Sequence, residues 1–583
     1  MSTINCKING MPMEVEAGTS IYQAAKEAQI NIPVLCYHPD LPAWAACGIC
    51  VVKAAGSKKM MRACATAVEE GMEVITHDPE LHQVRRTVIE MILSTHPNSC
   101  LTCGRNGTCE LQSLAAEFGI REMPFEMNVQ EIPQDTSTPS IILNPEKCIK
   151  CGRCVNVCQN VQNVFALEFL DRGDQVRMAP AGDVLLDDSP CIKCGQCSAH
   201  CPVGAIFEKD ETRKVWDGIR DPKLHTVVQV APAVRVAIGE AFGLEPGTIT
   251  TGKLYAALRR LGFDTVFDTN FGADLTIMEE GSEFVERFVN KKGEIPLITT
   301  CCPSWVDYME KFYPEMIPHF STAKSPQMML AAMSKTYYAK QIGKDACDIF
   351  HVSVMPCTSK KYEISRGTDM YSSGCQDIDV SITTRELARM IKSSGIDYLS
   401  LPDEEADEAL GIYTGAGTIF GATGGVMEAA LRTAHYLVTN RDLMKVEFEA
   451  VRGLEGVKAA EIDIEGTKVR VAVAHSISNV AKVLDEVQAA KDAGKEPPYH
   501  FIEVMACRGG CIAGGGQPYG GDDAVRARRT AGLYQDDEDQ TLRASHHNPA
   551  VQKLYQDFLE KPLSEKSHQY LHTHYTARPL YTR

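Results

Sequence analysis

Long apolar runs are missing from this 583-residue chain. No stretch approaches the roughly 18 consecutive apolar residues of a membrane helix, so no membrane span is expected. The opening residues, MSTINCKINGMPMEVEAG, lack the basic stretch and apolar core of a secretory leader, and a cytoplasmic location is expected. Positive charge is in deficit: 59 Lys and Arg face 76 Asp and Glu, a net charge of −17. That balance argues against a nucleic-acid or anionic-membrane surface, because both need clustered cations. There is no GxxxxGK(S/T) phosphate loop. The run from Gly415 to Gly421 exceeds the spacing of a dinucleotide fingerprint by one residue. No nucleotide or flavin site is therefore expected on this chain. Composition is otherwise ordinary, with 44% hydrophobic and 23% charged residues, so the chain can bury real cores. Its length suggests about four domains.

Cysteine is abundant instead. There are 23, and without an export signal a disulfide scaffold is not expected, which favours metal or redox use. They crowd toward the front, sixteen of them before residue 202. Residues 1–80 read as a β-rich module with an Asn9-Gly10 hairpin turn. Residues 81–128 read as helical around a Cys/His knot. Residues 129–140 form a polar linker, and 139–210 hold an internal repeat. From about 220 to 520, apolar β-branched runs alternate with helical stretches, the pattern of an α/β body with buried strands. The remainder, 521–583, is a polar tail with one good helix capped by Asn548 and Pro549.

The repeat is Cys148-x2-Cys151-x2-Cys154-x3-Cys158, then Cys191-x2-Cys194-x2-Cys197-x3-Cys201-Pro202. This is the spacing of bacterial two-cluster ferredoxins, in which the fourth cysteine of each run ligates the other cluster. Cys148, Cys151, Cys154 and Cys201 are thus expected to hold one 4Fe–4S cluster, and Cys191, Cys194, Cys197 and Cys158 a second. Structural zinc is a poor match to eight cysteines in two matched runs. Upstream, Cys36-x10-Cys47-x2-Cys50-x13-Cys64 offers four thiolates for a 2Fe–2S cluster, with a zinc ribbon as the competing reading. His96-x3-Cys100-x2-Cys103-x5-Cys109 could hold a third 4Fe–4S cluster, against a zinc site of one histidine and three cysteines. This front end resembles the large electron-input subunit of respiratory NADH dehydrogenases.

The body carries three further segments: Thr299-Thr300-Cys301-Cys302-Pro303-Ser304-Trp305, Met355-Pro356-Cys357 through Lys360 to Glu363, and Glu503-Val504-Met505-Ala506-Cys507 through Cys511 into Gly514-Gly515-Gly516-Gln517-Pro518. Each follows a strand-like run, where α/β proteins keep their sites. The glycines are expected to let backbone approach a bulky inorganic group. These segments resemble the signature motifs of FeFe-hydrogenases, TSCCPxW, MPCxxKxxE and ExMxCxxGCxxGGGxP, with Thr300 in place of serine.

The resemblance implies an α+β and α/β multidomain chain. Ferredoxin-like β-grasp and two-cluster ferredoxin modules would lead into a large α/β catalytic domain that cleaves H2 reversibly to two protons and two electrons. It implies an H-cluster, a cubane joined to a two-iron unit carrying CO, cyanide and a dithiolate amine. Cys302, Cys357, Cys507 and Cys511 would hold the cubane, with Cys511 bridging. Cys301 would be a proton donor, continued by Glu280, Ser321, Glu283 and Arg287 to solvent. From spacing alone, the Glu280, Glu283 and Arg287 face would be an ordinary surface ion pair. Lys360 would donate to cyanide, and Met355, Met505, Ala231, Pro232 and Gln327 would line the two-iron unit, with Phe420 a weaker candidate. Cys6, Cys347 and Cys375 are left for ordinary packing or surface, and His568 and His572 for a solvated or partner-contacting tail. Expected partners are flavin- and NAD(P)-binding subunits in a hetero-oligomer, ferredoxin, and maturation proteins that install the two-iron unit. A stand-alone ferredoxin-linked enzyme, an iron–sulfur assembly factor and an H2 sensor are the competing readings.

Overall fold

The computed structural model describes residues 2–57, 59–443, 446–464 and 466–582. Asn9 and Gly10 both take positive φ, 51° and 81°, the geometry a two-residue hairpin loop requires. They join strands Thr3–Ile8 and Met11–Glu16, two of five strands in a small sheet. Cys6 packs in its core, as expected. Helix Pro79–Ser94, capped by Asp78, and helix Glu110–Glu117 follow. Strand Ile141–Leu143 then pairs with Ile206–Glu208, so one short ribbon brackets the whole cysteine repeat.

The body is built on two four-stranded sheets. In the first, Thr265–Asp268, His225–Val230, Ile349–Met355 and Val380–Thr383 lie side by side and all parallel. In the second, Leu297–Ile298, Phe501–Met505 and Thr467–His475 are parallel, and Val457–Ile464 closes the edge as a hairpin. The apolar β-branched runs are buried on both faces because helices cover them. Strands Ile349–Met355, Leu297–Ile298 and Phe501–Met505 end just before Cys357, Cys301-Cys302 and Cys507. The carboxyl ends of both sheets therefore deliver the three motifs to one crevice, where open α/β sheets bind ligands.

The tail differs from its polar appearance. It forms three helices, Asp523–Asp539, Pro549–Leu554 and Glu565–Leu571, and Leu533, Leu554, Leu559 and Leu571 are fully buried. Its polar side chains are consumed internally. Arg529 makes a bidentate pair with Glu240 at 2.7 and 2.8 Å. Asp537 pairs with Arg432 and Arg543, and Asn548 and Ser545 bond to the buried Asp274. His572 is buried rather than solvated. The Gly415–Gly421 run also serves this packing: a Cβ at Gly415 would lie 2.0 Å from Asp537 Oδ1. Cys347 and Cys375 are not ordinary packing or surface residues either. They are joined as a disulfide with Cα atoms 5.6 Å apart, within the range such a bridge needs.

Candidate active site and cluster-binding sites

The fourth cysteine of the first ferredoxin run lies beside the second run. Cys158 lines one cavity together with Cys191, Cys194 and Cys197. Burial raises the Cys154 thiol, and the neighbouring sulfurs of Cys148, Cys151 and Cys201 push it further. Each loop is tightened by a positive-φ glycine, Gly152 and Gly195, opening a short helix. His96, Cys100, Cys103 and Cys109 line another cavity, beside Lys147 and Gly204 of the repeat. In the N-terminal sheet domain Cys50 and Cys64 are 3.4 Å apart, and Cys36 contacts both Cys47 and Cys64.

Sulfur spacing bears on the choice between iron–sulfur clusters and zinc. Four thiolates on one zinc sit about 3.8 Å from each other, given a Zn–S bond near 2.3 Å. Among the described residues, the groups of three or more metal-binding side chains whose ligand atoms all lie within 4.8 Å are two, and neither contains a cysteine. Among the described residues no three cysteine sulfurs are gathered that tightly, although Cys50 and Cys64 approach to 3.4 Å.

In the crevice, burial raises the thiols of Cys302, Cys357, Cys507 and Cys511, and the charges they would carry oppose one another. Four buried sulfurs close enough to repel one another as thiolates cannot ionise together without a cationic core among them. The donor set thus fits a cubane, and the structure brings the four sequence-distant cysteines together. The glycines of the third motif do something other than expected. A Cβ on Gly514 would meet Pro356 O at 2.1 Å, and one on Gly515 would meet Cys194 O at 2.5 Å. They let protein backbone approach protein backbone, pressing this motif against the Cys357 and Cys194 loops. Gln196 bridges the same seam, donating to Cys507 Sγ at 3.2 Å and Ala513 O at 3.0 Å.

Cys301 faces Glu280, and burial holds its thiol well above its ordinary range. Glu280 and Glu283 lie on helix Thr269–Phe288 and are buried. Burial pushes Glu280 up to about 8, partly offset by a hydrogen bond from Ser321. Ser321 Oγ also donates to Glu283 Oε2 at 3.3 Å, and Arg287 Nη2 to Glu283 Oε1 at 2.5 Å. The expected surface alternative for this face is excluded, since Glu283 and Arg287 are each 8% exposed. Thr300 replaces serine without loss of a hydroxyl: its Oγ1 donates to the carbonyls of Ser321 and Ala323, both at 3.1 Å.

Lys360 Nζ donates to Cys301 O at 3.1 Å and Glu363 Oε2 at 2.8 Å. Burial works against its charge, but Glu363 together with the sulfurs of Cys357 and Cys301 outweighs that and raises the ammonium above its ordinary range. Gln327 Nε2 donates to the same carboxylate, leaving Gln327 Oε1 buried with no partner. Ala231, Pro232, Met355, Met505 and Phe420 are buried around the two sheets' ends. Sequence reasoning gave no role to Glu363 or Glu503, although both are fixed letters of their motifs. Glu503 accepts from the amides of Gly424 and Met427 at 2.7 Å, a carboxylate at the N-terminus of helix Gly425–Thr439. Gln196 and Thr322 carried no sequence signal, and His572 was read only as part of a solvated or partner-contacting tail.

Comparison with known proteins matches each part. Residues 224–515 match the iron only hydrogenase large subunit, C-terminal domain, and 523–578 the iron hydrogenase small subunit. Residues 1–79 match a 2Fe-2S iron-sulfur cluster binding domain, and 147–205 a 4Fe-4S dicluster domain. Residues 85–124 match the NADH-ubiquinone oxidoreductase-G iron-sulfur binding region. The NADP-reducing hydrogenase subunit HndD of Solidesulfovibrio fructosivorans is 47% identical over 99% of this chain and 100% of its own length. Iron hydrogenase 1 of Clostridium pasteurianum is 41% identical over 97% of this chain and 99% of its own. A solved structure of apo FeFe-hydrogenase HydA1 from Chlamydomonas reinhardtii superposes with a TM-score of 0.56 at 42% identity, covering 64% of this chain and 100% of that one. By its crevice, its cluster-binding modules and its full-length likeness to these enzymes, this chain is a catalytic subunit of the iron-only hydrogenase family.

Proposed function

We propose that this hydrogenase passes electrons along one line of clusters and protons along a separate line of side chains. Cys302, Cys357, Cys507 and Cys511 would hold the cubane, with Cys511 also bridging to the two-iron unit. When bound, the H-cluster supplies the low-valent open iron at which H2 is cleaved. Lys360 would hold an anionic ligand by a charge-assisted hydrogen bond, and the unpartnered Gln327 Oε1 leaves an acceptor near the same group. Cys301, Glu280, Ser321, Glu283 and Arg287 would form the proton line. Met355, Met505, Ala231 and Pro232 would exclude water around the two-iron unit.

The observation that carries this reading is Gln196. Its side chain touches Cys507 of one cluster set while its neighbours Cys194 and Cys197 belong to another. Electrons would therefore pass between the cubane and the Cys158, Cys191, Cys194, Cys197 cluster, then to the Cys148, Cys151, Cys154, Cys201 cluster. Beyond it two exits open. Trp44, from the 2Fe–2S module, packs on Gly152. The His96 set meets the repeat at Gly204, whose absent side chain leaves room for Cys103.

The likeness to a NADP-reducing hydrogenase subunit and to an NADH dehydrogenase iron–sulfur region supports a hetero-oligomer. Flavin- and NAD(P)-binding subunits would take the electrons, with ferredoxin as a further partner. Infrared spectroscopy of the matured protein tests the site, since iron-bound CO and cyanide absorb where polypeptide does not. Co-purification with a flavoprotein and NAD(P)H-dependent H2 formation test the partner. Full-rate ferredoxin reduction by the isolated chain would instead favour the stand-alone enzyme.

A further inference from the structure

The proposed proton line ends on Arg287, and a guanidinium is a poor carrier. It has five donors and no acceptor, and it keeps its proton in proteins. Arg287 is moreover held in place, donating to the carbonyls of Pro318 at 3.1 Å and Phe320 at 2.7 Å as well as to Glu283. Glu283 has a second neighbour of different character. Its Oε2 accepts from Thr322 N at 3.0 Å and lies 3.3 Å from Thr322 Oγ1. Thr322 Oγ1 lies 2.7 Å from His572 Nδ1, and His572 Nε2 lies 3.1 Å from Glu279 Oε2.

Hydroxyl, imidazole and carboxylate thus stand in series, the order that lets a carboxylate fix a histidine tautomer and stabilise its imidazolium. Glu279 is itself fully buried and fixed by Tyr555 OH at 2.6 Å and Leu563 N at 2.8 Å. The tail residue is locked in register: Lys324 N donates to Leu571 O at 2.8 Å, and Thr573 N to Thr322 O at 2.9 Å. On the outer side the exposed ring of His568 lies 4.2 Å, centre to centre, from that of His572.

We propose that protons leave and enter Glu283 through Thr322 and His572, with His568 as the solvent-side station and Arg287 as an anchor. In the outward step the Glu283 carboxyl O–H breaks and its proton passes to Thr322 Oγ1. The hydroxyl's own proton moves to His572 Nδ1. The imidazolium so formed holds its Nε2–H toward the Glu279 carboxylate; that N–H bond breaks, its proton leaves past Glu279 toward His568 and water, and the ring is left neutral with the proton on Nδ1. The groups facing His572 are Glu279 on helix Thr269–Phe288, His568 on the tail, and Glu283 through Thr322, while Tyr555 bonds to the other oxygen of Glu279. The inference rests on the proposed passage of protons through Glu283.

The test uses the matured enzyme with Thr322→Val, Thr322→Ser, His572→Gln and Glu283→Gln. Thr322→Val and His572→Gln should lower H2 turnover about 10-fold or more where proton transfer limits the rate. Imidazole added to the buffer should restore it, and Thr322→Ser should keep it. Nitrogen NMR of labelled histidine, on protein without the two-iron unit, should show His572 protonated at Nε2 and accepting at Nδ1, with the Nδ1 signal moved by Thr322→Val. Unchanged turnover in both variants overturns the exit. So does a loss that imidazole does not restore and that Thr322→Ser shares, which marks a structural role alone. Full turnover in Glu283→Gln overturns the underlying route. An inactive Glu283→Gln beside fully active His572→Gln and Thr322→Val overturns only this exit.

Discussion

The carboxamide of Gln196 donates to the sulfur of Cys507 at 3.2 Å, so a helix of the ferredoxin repeat reaches into the ligand set of the catalytic crevice. A donor aimed at a cluster sulfur stabilises the reduced, more negative state and raises its potential. Gln196→Leu removes that donor. A hydrogen bond to a charged group is worth about 1.5–3 kcal/mol, so the cubane potential should fall by up to about 130 mV. Redox titration followed by electron paramagnetic resonance reads the shift. A potential unchanged by the substitution would show that the contact is packing alone.

Cross-ligation makes an asymmetric prediction for the repeat. Cys158→Ser should remove the cluster of the second cysteine run, and Cys201→Ser that of the first. Each variant should keep the other three accessory signals, and iron content should fall by about one cubane. Loss of the cluster belonging to the mutated cysteine's own run would mean that the runs do not exchange their fourth ligands.

Glu280 and Cys301 should act as proton carriers whose ionised forms burial suppresses. Glu280→Gln and Cys301→Ala are each expected to lower H2 turnover by about 100-fold or more. The Glu280 carboxyl, held up to about 8, should keep its infrared C=O band through neutral pH and lose it as pH rises past that value. The linkage has a definite sign. Between pH 4.5, its ordinary value, and about 8, the unfolded chain has lost this proton while the folded chain keeps it, so stability falls with rising pH. Glu280→Gln should therefore stabilise the protein at pH 8 relative to its effect near pH 4. A stabilisation independent of pH would contradict the assignment.

Asp537 tests the anchoring of the tail. It is fully buried between Arg432 and Arg543. Asp537→Ala leaves Arg432 charged, buried and short of a partner, which costs about 3–5 kcal/mol. Limited proteolysis should then cut near residue 540 far faster than in the parent chain, while Asp537→Asn should lose less.

The cluster-binding modules were legible in the sequence because cysteine spacing is local and its chemistry is narrow. Few residue types bind iron–sulfur cores, and a tight loop fixes the intervals. The crevice was legible only through resemblance, since Cys302, Cys357 and Cys507 come from ends of strands in two different sheets. Spacing alone made Glu283 and Arg287 a surface pair, because charge on a helix says nothing of what packs over it. The tail was misread for the same reason. Arg529, Asp537 and Asn548 look solvated until Glu240, Arg432 and Asp274 are placed against them. The disulfide partners Cys347 and Cys375 lie 28 residues apart with no motif between them. Thr322 and His572 are 250 positions apart in sequence, and nothing local links a threonine to a distant histidine.

The stretch matching a small subunit is carried on the same polypeptide as the large one. Tethering replaces a second-order encounter by a first-order closure, at an effective concentration that dilution of the enzyme cannot lower. If His572 serves the catalytic chamber, its supply is thereby guaranteed at any cellular abundance, and the stoichiometry of the two parts is set once, by translation.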